Sequence, residues 1–147
     1  MGYNFKLQKV LDVKKVREEL IEVKLAELEK LAERQRRELI IMEEARKEYM
    51  AQRTREREQG ERLMEEAFFE KMLDNLERKI EELKSYLREL ERQIAQTKEE
   101  LVCASLERKV MEKLREKDYQ EFSLNVQKSN QKLLDEVAIQ MYLRREI

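Results

Sequence analysis

The sequence predicts an all-α protein, a long antiparallel two-helix coiled coil (helical hairpin) with a C-terminal helical extension. The chain of 147 residues contains no proline and two glycines, and charged residues make up 44% of it, a composition typical of long helices. Apolar residues recur along most of the chain at alternating steps of three and four, as in a coiled coil. Because no segment combines β-branched alternation with turn residues at its edges, no strand is predicted.

The first arm of the hairpin is predicted over residues 4–58, with Asn4 as its N-terminal cap. From Ile21 to Tyr49, mostly apolar residues follow one face of this helix at heptad spacing. A different stripe precedes them and consists of Val13, Val16, Leu20 and Val23. We interpret the change of stripe as a shift of register near residues 20–25, which is either a fault or a joint in the supercoil.

The turn is predicted at residues 59–61, because Gly60 can adopt the left-handed conformation that ends a helix. The alternative is an uninterrupted helix that tolerates one glycine. The second arm is predicted over residues 62–122. Its seam positions are apolar apart from Thr97 and Arg108, and run through Leu73, Leu76, Ile80, Leu83, Leu87, Leu90, Ile94, Leu101, Ala104 and Met111.

Pairing about Gly60 leaves the residues after Tyr119 without an opposite arm. The C-terminal tail, residues 123–147, nevertheless has apolar residues at helical spacing, namely Leu133, Leu134, Val137, Ala138, Met141 and Tyr142. An apolar face of this kind is expected to be buried against another protein surface. Either a partner protein supplies it, or the tail packs back on the base of the hairpin near Phe5 and Val10.

Aromatic residues and methionines concentrate beside the turn. Phe68 and Phe69 are adjacent, and Tyr49 and Met72 lie close to them across the predicted turn. Since a two-helix seam is too thin to bury both phenylalanines, one of them is expected to face outward and form a contact patch.

The sequence lacks the residues that enzymes and metal sites require. It has no histidine and a single cysteine, Cys103, which excludes structural zinc sites and an intramolecular disulfide. We expect no catalytic residues, metal, cofactor or small-molecule ligand. Basic and acidic residues number 32 and 33, so nucleic-acid binding is not expected. Without a signal peptide or a membrane-length apolar run, we expect a cytoplasmic protein.

Two patterns carry information beyond the heptad repeat. The opening reads Tyr3-x-Phe5-x-Leu7-Gln8-x-Val10-Leu11-x-Val13-Lys14, and the middle contains Gly60, Phe68-Phe69, Leu73, Leu76 and Ile80. Phe122-Ser123-Leu124 then precedes a later apolar helix. In these features the chain resembles, over essentially its whole length, the FliJ family of soluble components of the bacterial flagellar type III protein export apparatus.

The resemblance implies a coupling stalk similar to the rotor shaft of rotary ATPases, placed at the cytoplasmic face of the flagellar basal body. The end with both termini would bind the hexameric export ATPase and regulate it by promoting ring formation. The region toward the turn would bind the cytoplasmic domain of the membrane export gate. Export chaperones are further implied partners, and a monomer is expected.

The resemblance also implies which residues contact these partners. The ATPase-binding residues would be Phe5, Leu7, Val10, Leu11, Leu134, Val137 and Met141. The gate-binding residues would be Leu39, Met42, Tyr49, Phe69, Met72 and Leu76. Leu39, Met42, Met72 and Leu76 also fit the intramolecular seam, so packing within the hairpin is their alternative role.

Other functions use the same pattern of residues. A structural coiled-coil dimer or scaffold would form its seams between chains. A hairpin chaperone of prefoldin type is the least favoured, because such subunits add strands that this sequence does not predict. The injectisome counterpart of the flagellar stalk would share the architecture, and the opening pattern favours the flagellar protein.

Overall fold

The computed structural model describes residues 2–60 and 63–146, without the side chains of residues 63–65. Helix α1 spans Gln8–Glu58 (51 residues) and helix α2 spans Leu63–Glu146 (84 residues). The two helices pack against each other as a helical hairpin, and no strand occurs in these ranges. The predicted fold class is therefore confirmed. Met1, Glu61, Arg62 and Ile147 lie outside the described residues, so the predicted turn is described only at Gln59 and Gly60.

Helix α1 begins later than predicted. The amide of Gln8 donates a hydrogen bond to the carbonyl oxygen of Phe5 (3.1 Å), and the amide of Leu11 donates to that of Leu7 (3.0 Å). Leu7 therefore occupies the cap position, and the prediction that the helix starts at Asn4 is wrong. The turn before the helix lets Phe5 fold inward, where its side chain is 8% exposed.

Helix α1 ends at Glu58 and is followed by a glycine in the left-handed conformation. The amides of Gln59 and Gly60 donate hydrogen bonds to the carbonyl oxygens of Arg55 (3.2 Å) and Arg57 (3.1 Å). Gly60 has a φ of +77°, and a Cβ built on it would meet no atom within 4 Å. Glycine is thus favoured here by backbone conformation and not by lack of space.

The chain forms two compact units, and both helices contribute to each. The turn unit comprises Leu20–Leu101, and the terminal unit comprises the described parts of Met1–Glu19 and Val102–Ile147. In the turn unit, buried seam residues form the core, with half-buried leucines of α1 packed against them. The buried residues are Ala32, Leu87, Leu90 and Ile94, and the leucines are Leu25, Leu28, Leu31 and Leu39.

Thr97 is a polar residue in the seam of the turn unit. It is 2% exposed, and its hydroxyl donates a hydrogen bond to the carbonyl oxygen of Gln93 (2.7 Å). This bond to the preceding turn of the same helix satisfies the buried hydroxyl. A threonine can therefore replace an aliphatic residue in the seam without leaving an unpaired polar group.

Ion pairs between α1 and α2 report the register. In the turn unit Arg36 pairs with Glu91 (3.6 Å) and Arg46 with Glu77 (3.1 Å). In the terminal unit Lys14 pairs with Glu107 (2.9 Å). These antiparallel pairings agree to within about two helical turns with pairing about Gly60, in which residue i lies opposite roughly residue 120 minus i.

The stripe of Val13, Val16, Leu20 and Val23 does not form a seam. All four side chains are more than half exposed, whereas Leu11 is completely buried. The interpretation of these residues as an earlier register of the seam is therefore wrong. They form a second apolar stripe on α1, outside the contact with α2.

Candidate protein-binding surfaces

In the terminal unit, the segment before α1 packs against α2. The ring of Tyr3 lies 5.1 Å from that of Tyr119, edge to face, and 5.3 Å from that of Phe122. Its hydroxyl donates a hydrogen bond to the carboxylate of Asp118 (2.8 Å) and lies 3.3 Å from the carbonyl oxygen of Arg115. Partial burial raises the pKa of Tyr3, and the hydrogen bond to Asp118 raises it further. Tyr3 thus anchors the N-terminal segment.

The predicted ATPase-binding residues near the N-terminus fall into two groups. Phe5 and Leu11 are buried within the terminal unit, while Leu7 and Val10 are about two-fifths exposed. Phe5 and Leu11 therefore hold the N-terminal segment in place, and only Leu7 and Val10 are open to a partner in this conformation. The sequence did not reveal this division, because all four are apolar residues close to a helix start.

The other predicted ATPase-binding residues lie on the tail, where α2 continues with every described side chain after Ser123 exposed. Leu134, Val137 and Met141 are accessible, as are Leu133 and Tyr142. The tail does not pack back on the base of the hairpin, so that alternative is wrong for this structure. Rows at steps of four, Leu133-Val137-Met141 and Leu134-Ala138-Tyr142, are neighbours on a helix. Together they form an apolar face wider than a two-helix seam.

In the terminal unit, a network of charged side chains joins α1 to α2. Glu18 accepts hydrogen bonds from the guanidinium of Arg108 and from the hydroxyl of Ser105 (3.3 Å). Arg108 also donates to Glu112 (2.9 Å). The hydrogen bond from Arg108 holds the pKa of Glu18 below its usual value. Arg108, which interrupted the apolar seam in the sequence, therefore has its own partners.

In the turn unit, most of the predicted gate-binding residues are partly buried. Leu39 packs against the core, and Met42 and Leu76 are half-buried. The rings of Tyr49 and Phe69 are in edge-to-face contact, with centroids 5.2 Å apart. These contacts give Leu39, Tyr49 and Phe69 a packing role within the hairpin.

Met72 and the two adjacent phenylalanines show which apolar side chains remain accessible. Met72 is 39% exposed and Phe68 is 61% exposed, while Phe69 is half-buried against Tyr49. The prediction that one phenylalanine faces outward is confirmed. Phe68 was not among the predicted site residues, although the heptad repeat of α2 places Phe69 on the seam and Phe68 outside it.

Ile41 and Tyr86 are two further exposed residues that sequence reasoning missed. With Leu39 and Leu73 at heptad position a, Ile41 and Phe68 occupy position c, and Met72 and Tyr86 occupy position g. Positions c and g lie on one flank of a seam, and position e lies on the other. The e flank carries the ion pairs Arg36–Glu91 and Glu43–Lys84 (3.7 Å). We call Ile41, Phe68, Met72 and Tyr86 the tip face.

The described residues contain no group of three or more cysteine, aspartate and glutamate side chains placed to hold a metal ion. Within the same residues, neither helix has a stretch long and apolar enough to cross a membrane. The exposed apolar side chains make the tail, the exposed part of the N-terminal segment and the tip face the candidate sites.

Comparison with known families decides the assignment. The sequence model of the family described as "Flagellar FliJ protein" matches residues 3–146. The chain belongs to this family. The resemblance seen in the opening pattern and in the Gly60–Ile80 interval is confirmed, and this FliJ family member is a component of the flagellar protein export apparatus. Comparisons with curated proteins and with solved structures found no match.

Proposed function

We propose that this FliJ family member is a coupling protein that binds the flagellar export ATPase hexamer and links it to the cytoplasmic domain of the export gate and to export chaperones. The tail and the exposed part of the N-terminal segment bind the ATPase, and the tip face binds the gate. The observation that carries this proposal is the distribution of uncovered apolar side chains on an otherwise charged protein of the family.

The tail supports the assignment of an ATPase-binding surface. Its apolar face spans about half the circumference of the helix, and its rows follow steps of four instead of the alternating steps of a heptad seam. A single coiled-coil partner would cover only part of such a face. A groove formed by several elements, as a ring of subunits provides, would cover more of it.

The tip face supports a second, separate binding surface. It belongs to the turn unit, whereas the tail belongs to the terminal unit. Because Leu39, Tyr49 and Phe69 pack within the hairpin, we assign direct gate contact mainly to the exposed Phe68 and Met72, and a supporting role to the partly buried residues. Aromatic residues and methionine are the side chains enriched at protein interfaces.

The ATPase contact is tested by a variant with Leu134→Ser, Val137→Ser and Met141→Ser, titrated against the flagellar export ATPase. Because these side chains are exposed, we expect the helix content to stay unchanged while binding weakens by at least about 10-fold. The matched control carries Lys132→Ser and Glu136→Ser on the opposite side of the tail. Equal affinity of the apolar variant and this control would contradict the assignment.

The gate contact is tested with Phe68→Ser and Met72→Ser against the purified cytoplasmic domain of the gate. We expect weaker gate binding and unchanged ATPase binding, because the two surfaces lie in different units. Arg78→Ser, an exposed change away from the tip face, is the control. Loss of both partners in the tip variant would show that one surface serves both.

A further inference from the structure

The second apolar stripe of α1 has no role in the contacts described above. Val13, Val16, Leu20 and Val23 are 65%, 53%, 64% and 55% exposed. They lie on one uninterrupted helix, Gln8–Glu58, so their common face follows from helical geometry alone. The seam of the same helix passes through Leu11 and Leu25, and in its heptad the stripe occupies the outer positions c and f.

The stripe has the spacing of a coiled-coil seam of its own. Its steps are three, four and three, which places Val13 and Leu20 at position a and Val16 and Val23 at position d of a second heptad register. Two heptads of this kind match another helix with the same repeat. A second copy of the chain supplies such a helix.

The charges beside the stripe select one orientation. In the second register, Asp12 and Glu19 are at position g, and Arg17 and Lys24 are at position e. In a parallel pair, position g of one helix faces position e of the next heptad on its partner. Asp12 would then face Arg17, and Glu19 would face Lys24, twice in each dimer by symmetry.

The opposite orientation is disfavoured by the same residues. In an antiparallel pair, position g faces g and position e faces e. The antiparallel register that buries all four apolar residues would place Glu19 against Glu19 and Arg17 against Arg17. Like charges in such positions are destabilising, so the sequence around the stripe is complementary to itself only in the parallel orientation.

We propose that the stripe is a self-association surface through which two copies of the chain pair in parallel along α1. The contact goes beyond the proposed binding of ATPase and gate, and uses neither the tail nor the tip face. Because it spans only two heptads, the buried area is small, and the dimer is weak and concentration-dependent. All four flanking charged side chains are exposed, although Arg17 lies 3.8 Å from Glu107 within its own chain.

Sedimentation equilibrium on the purified full-length chain at low salt tests the proposal. The protein concentration runs from about 10 µM to about 1 mM, the range in which dimers with small interfaces dissociate. We expect the average mass to rise from the monomer value of 18.0 kDa toward twice that value. Val16→Glu should abolish the rise, and Val102→Glu, at an exposed valine of α2, should leave it unchanged. A constant monomer mass, or an equal effect of both variants, would overturn the proposal.

Charge exchange at one pair tests the orientation. Glu19→Lys alone should weaken the dimer about 10-fold, because two attractive pairs become repulsive. Glu19→Lys combined with Lys24→Glu should restore the affinity to within about 3-fold, since the pair is rebuilt with reversed signs. A double variant as weak as the single one would rule out the parallel register. Circular dichroism confirms that each variant is helical.

A cysteine at the stripe gives an independent readout of register. In a Cys103→Ser background, Leu20→Cys should form a disulfide-linked dimer on mild oxidation, because residue 20 faces residue 20 only in the parallel pair. In the antiparallel pair, residue 20 would face residue 16. Glu44→Cys, at an exposed site off the stripe, is the control. Equal crosslinking at both positions would overturn the register.

Discussion

The ring of Tyr3 packs edge to face against the ring of Tyr119, with centroids 5.1 Å apart. This contact joins a residue that precedes α1 to a residue well along α2. It extends the covered part of α2 to Phe122, the last large apolar residue of α2 that is partly buried. Tyr3 therefore marks where α2 changes from a packed helix into an exposed one.

Removing the side chain of Tyr3 should loosen the N-terminal segment. We expect Tyr3→Ala to lower the free energy of unfolding by about 1–2 kcal/mol, because it removes two aromatic contacts and the hydrogen bond to Asp118. Tyr3→Phe retains the ring and should cost about half as much or less. Urea denaturation measures both. Equal stability of Tyr3→Ala and the unaltered protein would show that the segment is not anchored.

The ion pairs of the terminal unit should make stability depend on acid pH. Hydrogen bonds from Arg108 and Lys14 hold the pKa values of Glu18 and Glu107 below their usual value. A lowered folded-state pKa gives stability that is present above the unfolded value of about 4.3 and is lost as the pH falls through the folded value. We therefore expect the urea concentration at the midpoint of denaturation to decrease as the pH is lowered through this range.

Glu18→Gln provides the comparison for this pH effect. The amide cannot ionise, so the variant should be less stable at neutral pH and should lose less stability on acidification. Glu22→Gln, at an exposed residue for which no hydrogen bond or ion pair occurs in the described part of the chain, is the matched control. An identical pH profile for Glu18→Gln and the unaltered protein would refute a role for Glu18.

Gly60 should resist substitution because of its backbone conformation. Its φ is +77°, so Gly60→Ala should destabilise the protein by about 1 kcal/mol even though space for a methyl group exists. Gly2→Ala is the control, since a Cβ there also meets no atom within 4 Å and φ is not in the left-handed range. Thermal denaturation compares the two, and a Gly60→Ala variant as stable as Gly2→Ala would contradict the turn.

The two adjacent phenylalanines should respond differently to truncation. Phe69→Ala removes the contact with Tyr49 and should lower the free energy of unfolding by about 1–2 kcal/mol. Phe68→Ala should change stability by less than about 0.5 kcal/mol, because its ring is mostly exposed. Chemical denaturation distinguishes them. The reverse order would mean that the faces of α2 near the turn are assigned incorrectly.

Much of the fold was predictable because a heptad repeat encodes both the helices and the face that they bury. Leu87, Leu90 and Ile94 were seam positions in the sequence and are buried in the structure. The position of the turn could also be located from the sequence, since Gly60 is the one residue between the predicted arms that is suited to a left-handed conformation. These features depend on local spacing and backbone conformation, which the sequence states directly.

The rest depended on contacts that spacing does not encode. The stripe beginning at Val13 has the same steps as a seam, so only the competing burial of Leu11 shows which stripe α2 covers. The start of α1 at Gln8 depends on the inward turn of Phe5. The heptad repeat places Phe69 on the seam and Phe68 outside it, but it does not predict the contact of Phe69 with the ring of Tyr49.

The central claim is that one chain binds two partners at once. The most direct measurement immobilises the cytoplasmic domain of the export gate and asks whether it retains the export ATPase with and without this protein. We predict ATPase retention only when the chain is present, and its loss with Leu134→Ser, Val137→Ser and Met141→Ser while the chain itself stays bound. Displacement of the chain from the gate domain by the ATPase would contradict the account, because it would show that the two partners compete for one surface.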